Sequence, residues 1–206
     1  MSDKSEIVYK KLDLPEDSKH KLAFVLENVL TPEECEWYIA ETERKGYELA
    51  QVNTGIGQVT RTDIRNSSRH IWDSELEANK IWDRIKTFVP EVFKQRRVMG
   101  LNERLRFLRY NPGEYFKPHE DGEYRRDNGE RSLITVQVYL NEGFVGGSTT
   151  FFGYSTDTIV PVVPKTGLVL VFQHDILHEG STLEEGRKYA VRTDVMYSAQ
   201  RVPEGP

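Results

Sequence analysis

Residues 104–121 read RLRFLRYNPGEYFKPHED, and the fold turns on this stretch. Leu105 and Phe107 alternate with Arg104 and Arg106, the period-two pattern of a strand with one buried face. Asn111-Pro112-Gly113 then reads as a turn. The stretch ends in His119-Glu120-Asp121, which sets an imidazole and a carboxylate two residues apart. In extended chain, residues i and i+2 point to the same side, so His119 and Asp121 can aim at one point. They supply two corners of a metal site. A third donor would complete the 2-His-1-carboxylate facial triad, which leaves positions of an Fe(II) ion open. Downstream, His178 in FQHDILHEGS is the candidate.

Outward from this stretch the chain is rich in β signals. Ser132–Leu140 and Tyr189–Tyr197 alternate, and Thr149–Phe152, Thr158–Val163 and Gly167–Phe172 carry β-branched and aromatic residues. Turn signals separate them at Asn128-Gly129, Gly146-Gly147 and Pro164-Lys165-Thr166-Gly167. Short strands at near-regular spacing predict a sandwich or barrel, not a βαβ fold. Residues 21–100 read as mixed support. Lys21–Leu30 predicts a strand and its exit. Thr31-Pro32-Glu33-Glu34 predicts a helix start with a capping box, and Gly46 closes that helix. Tyr47–Val52 and Val59–Ile64 predict two strands joined by a turn at Asn53–Gly57. Ser74-Glu75-Leu76-Glu77 repeats the capping logic for a helix running through Ile81, Trp82, Ile85 and Phe88 to Pro90, and a further short helix would carry Val92 and Phe93. Residues 1–20 are polar and predict a loose arm. The expected whole is one domain over residues 1–206, mostly β, with a helical N-terminal layer packed on a β-sandwich.

The composition bounds the function. The chain has 206 residues and a net charge of −5, which argues against nucleic acid as a partner because phosphate binding wants a basic face. The single cysteine, Cys35, rules out an internal disulfide and reads as a small buried apolar residue. That cysteine usage predicts a reducing, intracellular or cytoplasmic setting. The start carries no apolar run that would make a secretory signal, and no stretch approaches the ~20 apolar residues of a membrane span.

The blocks RYNPGEYFKPHED, VYLNEGFVGGSTTFF and PKTGLVLVFQHDILHEGSTLEEGRKYAV, in that order, resemble the Fe(II)/2-oxoglutarate-dependent dioxygenases, most closely the prolyl 4-hydroxylase group. The resemblance covers residues 105–197. It implies a double-stranded β-helix, or jelly roll, over residues 101–200 whose mouth holds the iron. It implies His119, Asp121 and His178 as catalytic iron ligands. It also implies a basic residue on the last strand for the far carboxylate of 2-oxoglutarate. Lys188, ten residues after His178, fits that place, and a buried carboxylate needs such a cation. Arg192 shares its strand face and is the alternative, whereas Arg187 points the other way. Tyr110 and Tyr139 would line the cosubstrate pocket, with Thr150 a weaker candidate. The implied reaction consumes 2-oxoglutarate and O2, releases succinate and CO2, and hydroxylates a C–H bond; ascorbate dependence is the family's habit. Halogenating relatives replace the carboxylate ligand with a small residue, so Asp121 favours hydroxylation.

The substrate is the least legible part. The leading reading is a prolyl residue of a protein or peptide. Gly122–Arg131 would form a lid, and Val59–Trp72, with Arg61, Arg65, Arg69 and Trp72, a second wall. The alternatives are a free amino acid or other small metabolite, a non-catalytic cupin-like metal- or ligand-binding module, and nucleic-acid demethylation, which lacks its basic stripe. The plainer readings are a solvated Lys188, Tyr110 and Tyr139 as core aromatics, a structural Arg192–Asp194 ion pair, and surface positions for His20 and His70. His174 could pair with His178 on a helix, but the segment before it reads as strand.

Overall fold

A computed structural model describes residues 6–53 and 58–203. In chain order the principal elements are β1 (Val8–Lys11), β2 (Ala23–Glu27), α1 (Pro32–Lys45), β3 (Ser68–Asp73), α2 (Glu75–Ile85), β4 (Arg96–Leu101), β5 (Arg104–Tyr110), β6 (Phe116–His119), β7 (Arg131–Tyr139), β8 (Thr149–Phe152), β9 (Ile159–Val162), β10 (Val169–Gln173), β11 (His178–Gly180) and β12 (Lys188–Tyr197). The major sheet runs β1-β2-β10-β7-β12-β5-β3, with β4 also paired to β12. The minor sheet runs β6-β11-β8-β9. Every pairing in both sheets is antiparallel. The chain is therefore mostly β, a jelly roll with helices on its outer face, as the resemblance implies.

Two cores explain why the central strands read as near-continuous apolar runs. On one face of the major sheet, Phe107, Ile134, Val136, Val171, Val191 and Val195 pack with Tyr38, Ile81 and Ile85 of the helices. On the other face, Val25, Tyr139, Leu170, Phe172 and Ala190 meet Phe151 and Val162 of the minor sheet. Each large side chain buried this way contributes ~1.5–3 kcal/mol. Period two then divides the polar residues. On β12, Lys188, Ala190, Arg192 and Asp194 share the face turned towards the minor sheet. Thr135 and Gln137 on β7, and Arg106 and Tyr110 on β5, share it too.

The helices begin and end where the local chemistry dictates. Thr31 accepts from the Glu34 amide while the Glu34 carboxylate accepts from the Thr31 amide, with Pro32 at the first helical position. Gly46 closes α1 at φ +87°, a conformation that costs glycine little. At α2 only half of the box forms. Ser74 caps the Glu77 amide, but the Glu77 carboxylate instead accepts from the Tyr38 hydroxyl at 2.6 Å and from Lys80 at 2.8 Å.

Four expectations need correction. Val8–Lys11, assigned to a loose arm, is a strand in register with Phe24–Glu27. Val92–Phe93 is no helix; it pairs with Arg96–Arg97, the chain turning through Lys94 and Gln95 at positive φ. Helix α2 ends at Ile85 rather than Pro90. The strands expected at Tyr47–Val52 and Val59–Ile64 shrink to Glu48–Leu49 and the short pair Val52–Asn53 with Gln58–Val59. Most of the turn between the latter, residues 54–57, lies outside the described residues. Among the described residues no helix is long and apolar enough to cross a membrane.

Candidate metal and cosubstrate site

Both predicted histidines are set by one antiparallel register. His119, at the end of β6, sits directly opposite His178, at the start of β11. A register irregularity between Phe116 and His119 turns the strand end inward. The chain then leaves the ladder. The Asp121 amide donates to the His174 carbonyl at 2.9 Å, which brings the Asp121 side chain under the sheet. Its Oδ2 accepts from the Thr135 hydroxyl at 2.5 Å. The donor atoms of His119, Asp121 and His178 lie within 4.8 Å of one another. Nε2 of His119 is 3.6 Å from Asp121 Oδ1, and Nε2 of His178 is 3.8 Å from Oδ2.

The hydrogen bonds on the far side of each ring fit a metal. Nδ1 of His119 faces the Lys117 carbonyl at 2.7 Å, and Nδ1 of His178 faces the Ile176 carbonyl at 2.9 Å. A carbonyl only accepts, so each Nδ1 carries the proton and each Nε2 presents its lone pair to the shared point. Burial pushes His178 down to about 4, which keeps it in the neutral, ligating form. Burial alone would raise Asp121, but Arg192 and the two histidines hold it well below the usual carboxylate range. These three residues suit a divalent cation with N/O preference.

Lys188 shares the cavity with this trio and is 2% exposed. Its ammonium donates to the Gly147 carbonyl at 2.6 Å and lies over the rings of Tyr110 at 4.9 Å and Tyr139 at 5.6 Å. Among the described residues no carboxylate pairs with it, and burial pushes it down to about 7. The Gly146-Gly147 turn permits this approach. A Cβ on Gly147 would stand 3.3 Å from Lys188 Cδ, and both glycines sit at positive φ.

The remaining candidates sort by strand face. Tyr110 lines the cavity. Tyr139 is fully buried beside it, and its hydroxyl donates to Thr149 at 2.7 Å. Thr149, which also accepts from Gln137, is the cavity threonine. Thr150 is not; it bonds Ser181 at 2.7 Å. Period two, counted from Phe151 opposite His178, separates the two. Arg192 is in the site, but its Nη1 donates to Asp121 Oδ1 at 2.8 Å, so it stands against Asp121 and is not a free cation beside Lys188. The structural pair with Asp194 is also present, at 3.5 Å. His174 stays outside the trio and faces Asp194 at 3.6 Å.

Of the expected second wall, Arg65 reaches the cavity. Its guanidinium lies over Phe116, which stacks on His119 at 3.6 Å, and its Nη2 is buried without a hydrogen-bond partner. Arg61 pairs with Asp63, and Arg69 with Glu48 and Gln51. Trp72 packs against Trp37, Tyr38 and Phe107, in the helix-side core. The expected lid, residues 122–131, folds back on the start of β7: the Ser132 amide donates to the Tyr124 carbonyl and the Tyr124 amide to the Ser132 hydroxyl, each at 2.9 Å, while Arg126 pairs with Glu130 and with Glu103, just before β5.

The chain is similar in sequence and in fold to known proteins. Residues 105–193 match the model of the 2OG-Fe(II) oxygenase superfamily. A protein of Acanthamoeba polyphaga mimivirus, provisionally named a prolyl 4-hydroxylase, is 28% identical over 193 residues, covering 84% of this chain and 73% of the relative. Prolyl 4-hydroxylase 1 of Arabidopsis thaliana is 31% identical over 136 residues, covering 62% of this chain; the match spans only 45% of the plant protein. Among solved structures, a prolyl hydroxylase of Trichoplax adhaerens in complex with a hypoxia-inducible-factor oxygen degradation domain peptide fragment superposes with a TM-score of 0.66 at 15% identity, over 87% of this chain and 85% of that one. At that identity the likeness shows the fold.

Proposed function

From its membership of the 2OG-Fe(II) oxygenase superfamily, we propose that the chain is an Fe(II)- and 2-oxoglutarate-dependent dioxygenase that hydroxylates a prolyl residue of a peptide or protein. The observation that carries the reading is the pairing of two features in one cavity. Three donors with fixed tautomers converge at one end, and a buried ammonium without a carboxylate partner stands at the other.

In this reading His119, Asp121 and His178 hold the iron by Nε2, a carboxylate oxygen and Nε2. Iron, 2-oxoglutarate and O2 together supply oxidative decarboxylation to succinate and CO2 and the insertion of one oxygen atom into a substrate C–H bond. The chain's own part is placement and exclusion of water. Lys188 receives the far carboxylate of 2-oxoglutarate, which is costly to bury without a cation. Tyr110 and Tyr139 offer their ring faces to the ammonium, and their bulk walls the site from water. Thr149, already tied to Tyr139 and Gln137, supplies a polar edge on the same side. The prolyl preference is drawn from the names of the relatives, the plant protein named a prolyl 4-hydroxylase and the mimivirus one provisionally so, and from the peptide fragment in the Trichoplax complex.

The test is succinate release from 2-oxoglutarate by purified protein supplied with Fe(II), O2 and ascorbate, with and without proline-containing peptides. Peptide-stimulated succinate, together with the gain of one oxygen atom on a prolyl residue by mass spectrometry, is the expected result. Turnover indifferent to every peptide would move the substrate to a free amino acid or metabolite. No turnover with iron bound would leave a binding module.

A further inference from the structure

Nothing in the reaction just described uses Arg106, Arg192 or Asp194, yet they form a continuous ladder, with partly buried arginines and buried carboxylates, that ends on Asp121. Arg192 Nη1 donates to Asp121 Oδ1 at 2.8 Å, and its Nη2 lies 3.5 Å from Asp194 Oδ1. Arg106 holds the other oxygen of Asp194 at 3.0 Å, and His174 faces Asp194 at 3.6 Å. The side chains of Asp121 and Asp194 are each 2% exposed.

A ladder of this kind is a poor device for stability alone. Desolvating buried ions largely cancels their attraction, and apolar residues of similar volume do as well. What it does supply is geometry. Arg192 cannot swing away from Asp121 without leaving Asp194, and Asp194 is itself held from β5 by the hydrogen bond from Arg106. The two oxygens of Asp121 are thereby made unequal. Oδ1 carries a charge-assisted bond from a cation, whereas Oδ2 carries a neutral one from Thr135. An oxygen bonded to a guanidinium is the poorer donor to a second positive charge, so a metal takes Oδ2.

We propose that Arg192 is a positioning residue that confines Asp121 to coordination through one oxygen and so keeps a position on the metal open. The proposal rests on the reading of His119, Asp121 and His178 as the ligands. The arithmetic of six-fold coordination gives it force. Two histidines and one carboxylate oxygen leave three positions, two for a chelating cosubstrate and one for O2. A carboxylate that chelates with both oxygens leaves two, and the cosubstrate then fills the shell.

Mn(II) reports the open positions without turnover, because the water-proton relaxation of bound Mn(II) scales with its coordinated waters. The protein is loaded with one equivalent of Mn(II) in the absence of 2-oxoglutarate. With Arg192→Gln the relaxivity per bound ion is expected to fall by about a third, from three waters to two. Arg192→Lys restores a cation against Oδ1 and is expected to return the relaxivity towards the parent value. A folded, metal-bound Arg192→Gln with unchanged relaxivity would overturn the proposal and leave the metal site intact. A parent protein that binds no Mn(II) would overturn the ligand assignment and the proposal with it. Should Arg192→Gln fail to fold, Asp194→Asn frees Arg192 to leave Asp121; the same fall supports the proposal and an unchanged value overturns it.

Discussion

The two ends of the cavity follow opposite electrostatic plans. At the metal end the charges behind Asp121 are answered before any ligand arrives: Asp121 has Arg192, Arg192 has Asp194, and Asp194 has Arg106. At the other end Lys188 has a carbonyl, two ring faces and, among the described residues, no anion. A buried charge without a counter-charge is expensive and is kept only where something else completes it. The contrast therefore separates a site built in advance from one completed by what it binds.

The sharpest break of that contrast is Asp121→Ala. It removes a ligand and also strands Arg192 in a buried position. Metal-dependent succinate formation should fall at least ~1000-fold, with metal affinity measured by titration falling alongside it. Turnover within tenfold of the parent would mean that Asp121 is not a ligand. Next in size is Lys188→Ala. A carboxylate would then be buried unpaired, at a cost of ~3–5 kcal/mol, so the 2-oxoglutarate concentration for half-saturation should rise ~100-fold or more with little change in metal affinity. A larger effect from Arg192→Ala on 2-oxoglutarate alone would exchange the roles of the two residues.

A smaller effect is expected from pH. Lys188 is pushed down to about 7 by burial, and a bound carboxylate requires the ammonium form. Below pH 7 the ammonium is already present. Above it, binding must take up a proton, so 2-oxoglutarate affinity should weaken by up to about tenfold per pH unit until the pKa of the complex is reached. Calorimetry in buffers of different ionisation enthalpy would show the proton uptake, and its absence at pH 8 would mean that Lys188 is charged before binding. The smallest effect is that of Tyr139→Phe. It deprives Thr149 of one donor, at ~1 kcal/mol, and should raise the 2-oxoglutarate requirement about fivefold.

How far the sequence carries the structure depends on whether a residue's role is local. The capping box at Thr31 is written in four consecutive residues and forms as read. His119, Asp121 and His178 could be named because the spacing of the first two and the motif blocks around all three are visible in one dimension. Roles decided by pairing were not visible. Val92 and Phe93 follow Pro90 in a helical-looking context, but two successive positive-φ residues make them a hairpin. Val8–Lys11 (VYKK) is exposed along its whole length, so no alternation of buried and exposed residues announces a strand; β2 recruits it through its free edge. Thr149 was missed in favour of Thr150 because the phase of a four-residue strand is fixed only by its neighbour. Arg192 was legible as a cation on the correct face. That it leans on Asp121 depends on a loop crossing from β6 to the carbonyl of His174, which no spacing rule describes.

The cross-strand pair His119 and His178 lies in a sheet whose two participating strands are only four and three residues long. A cation gripped by both rings would act as a staple across a loop of 59 residues (178 − 119). Chain closed in that way has less entropy to gain on opening, and an ion that prefers the folded form shifts the unfolding equilibrium by mass action. Chelation should therefore lower the melting temperature and release the amides of Phe116–His119 and His178–Gly180 to exchange ahead of the β7–β12 pair. The metal would be, besides its chemical office, a mechanical fastener for the weaker of the two sheets.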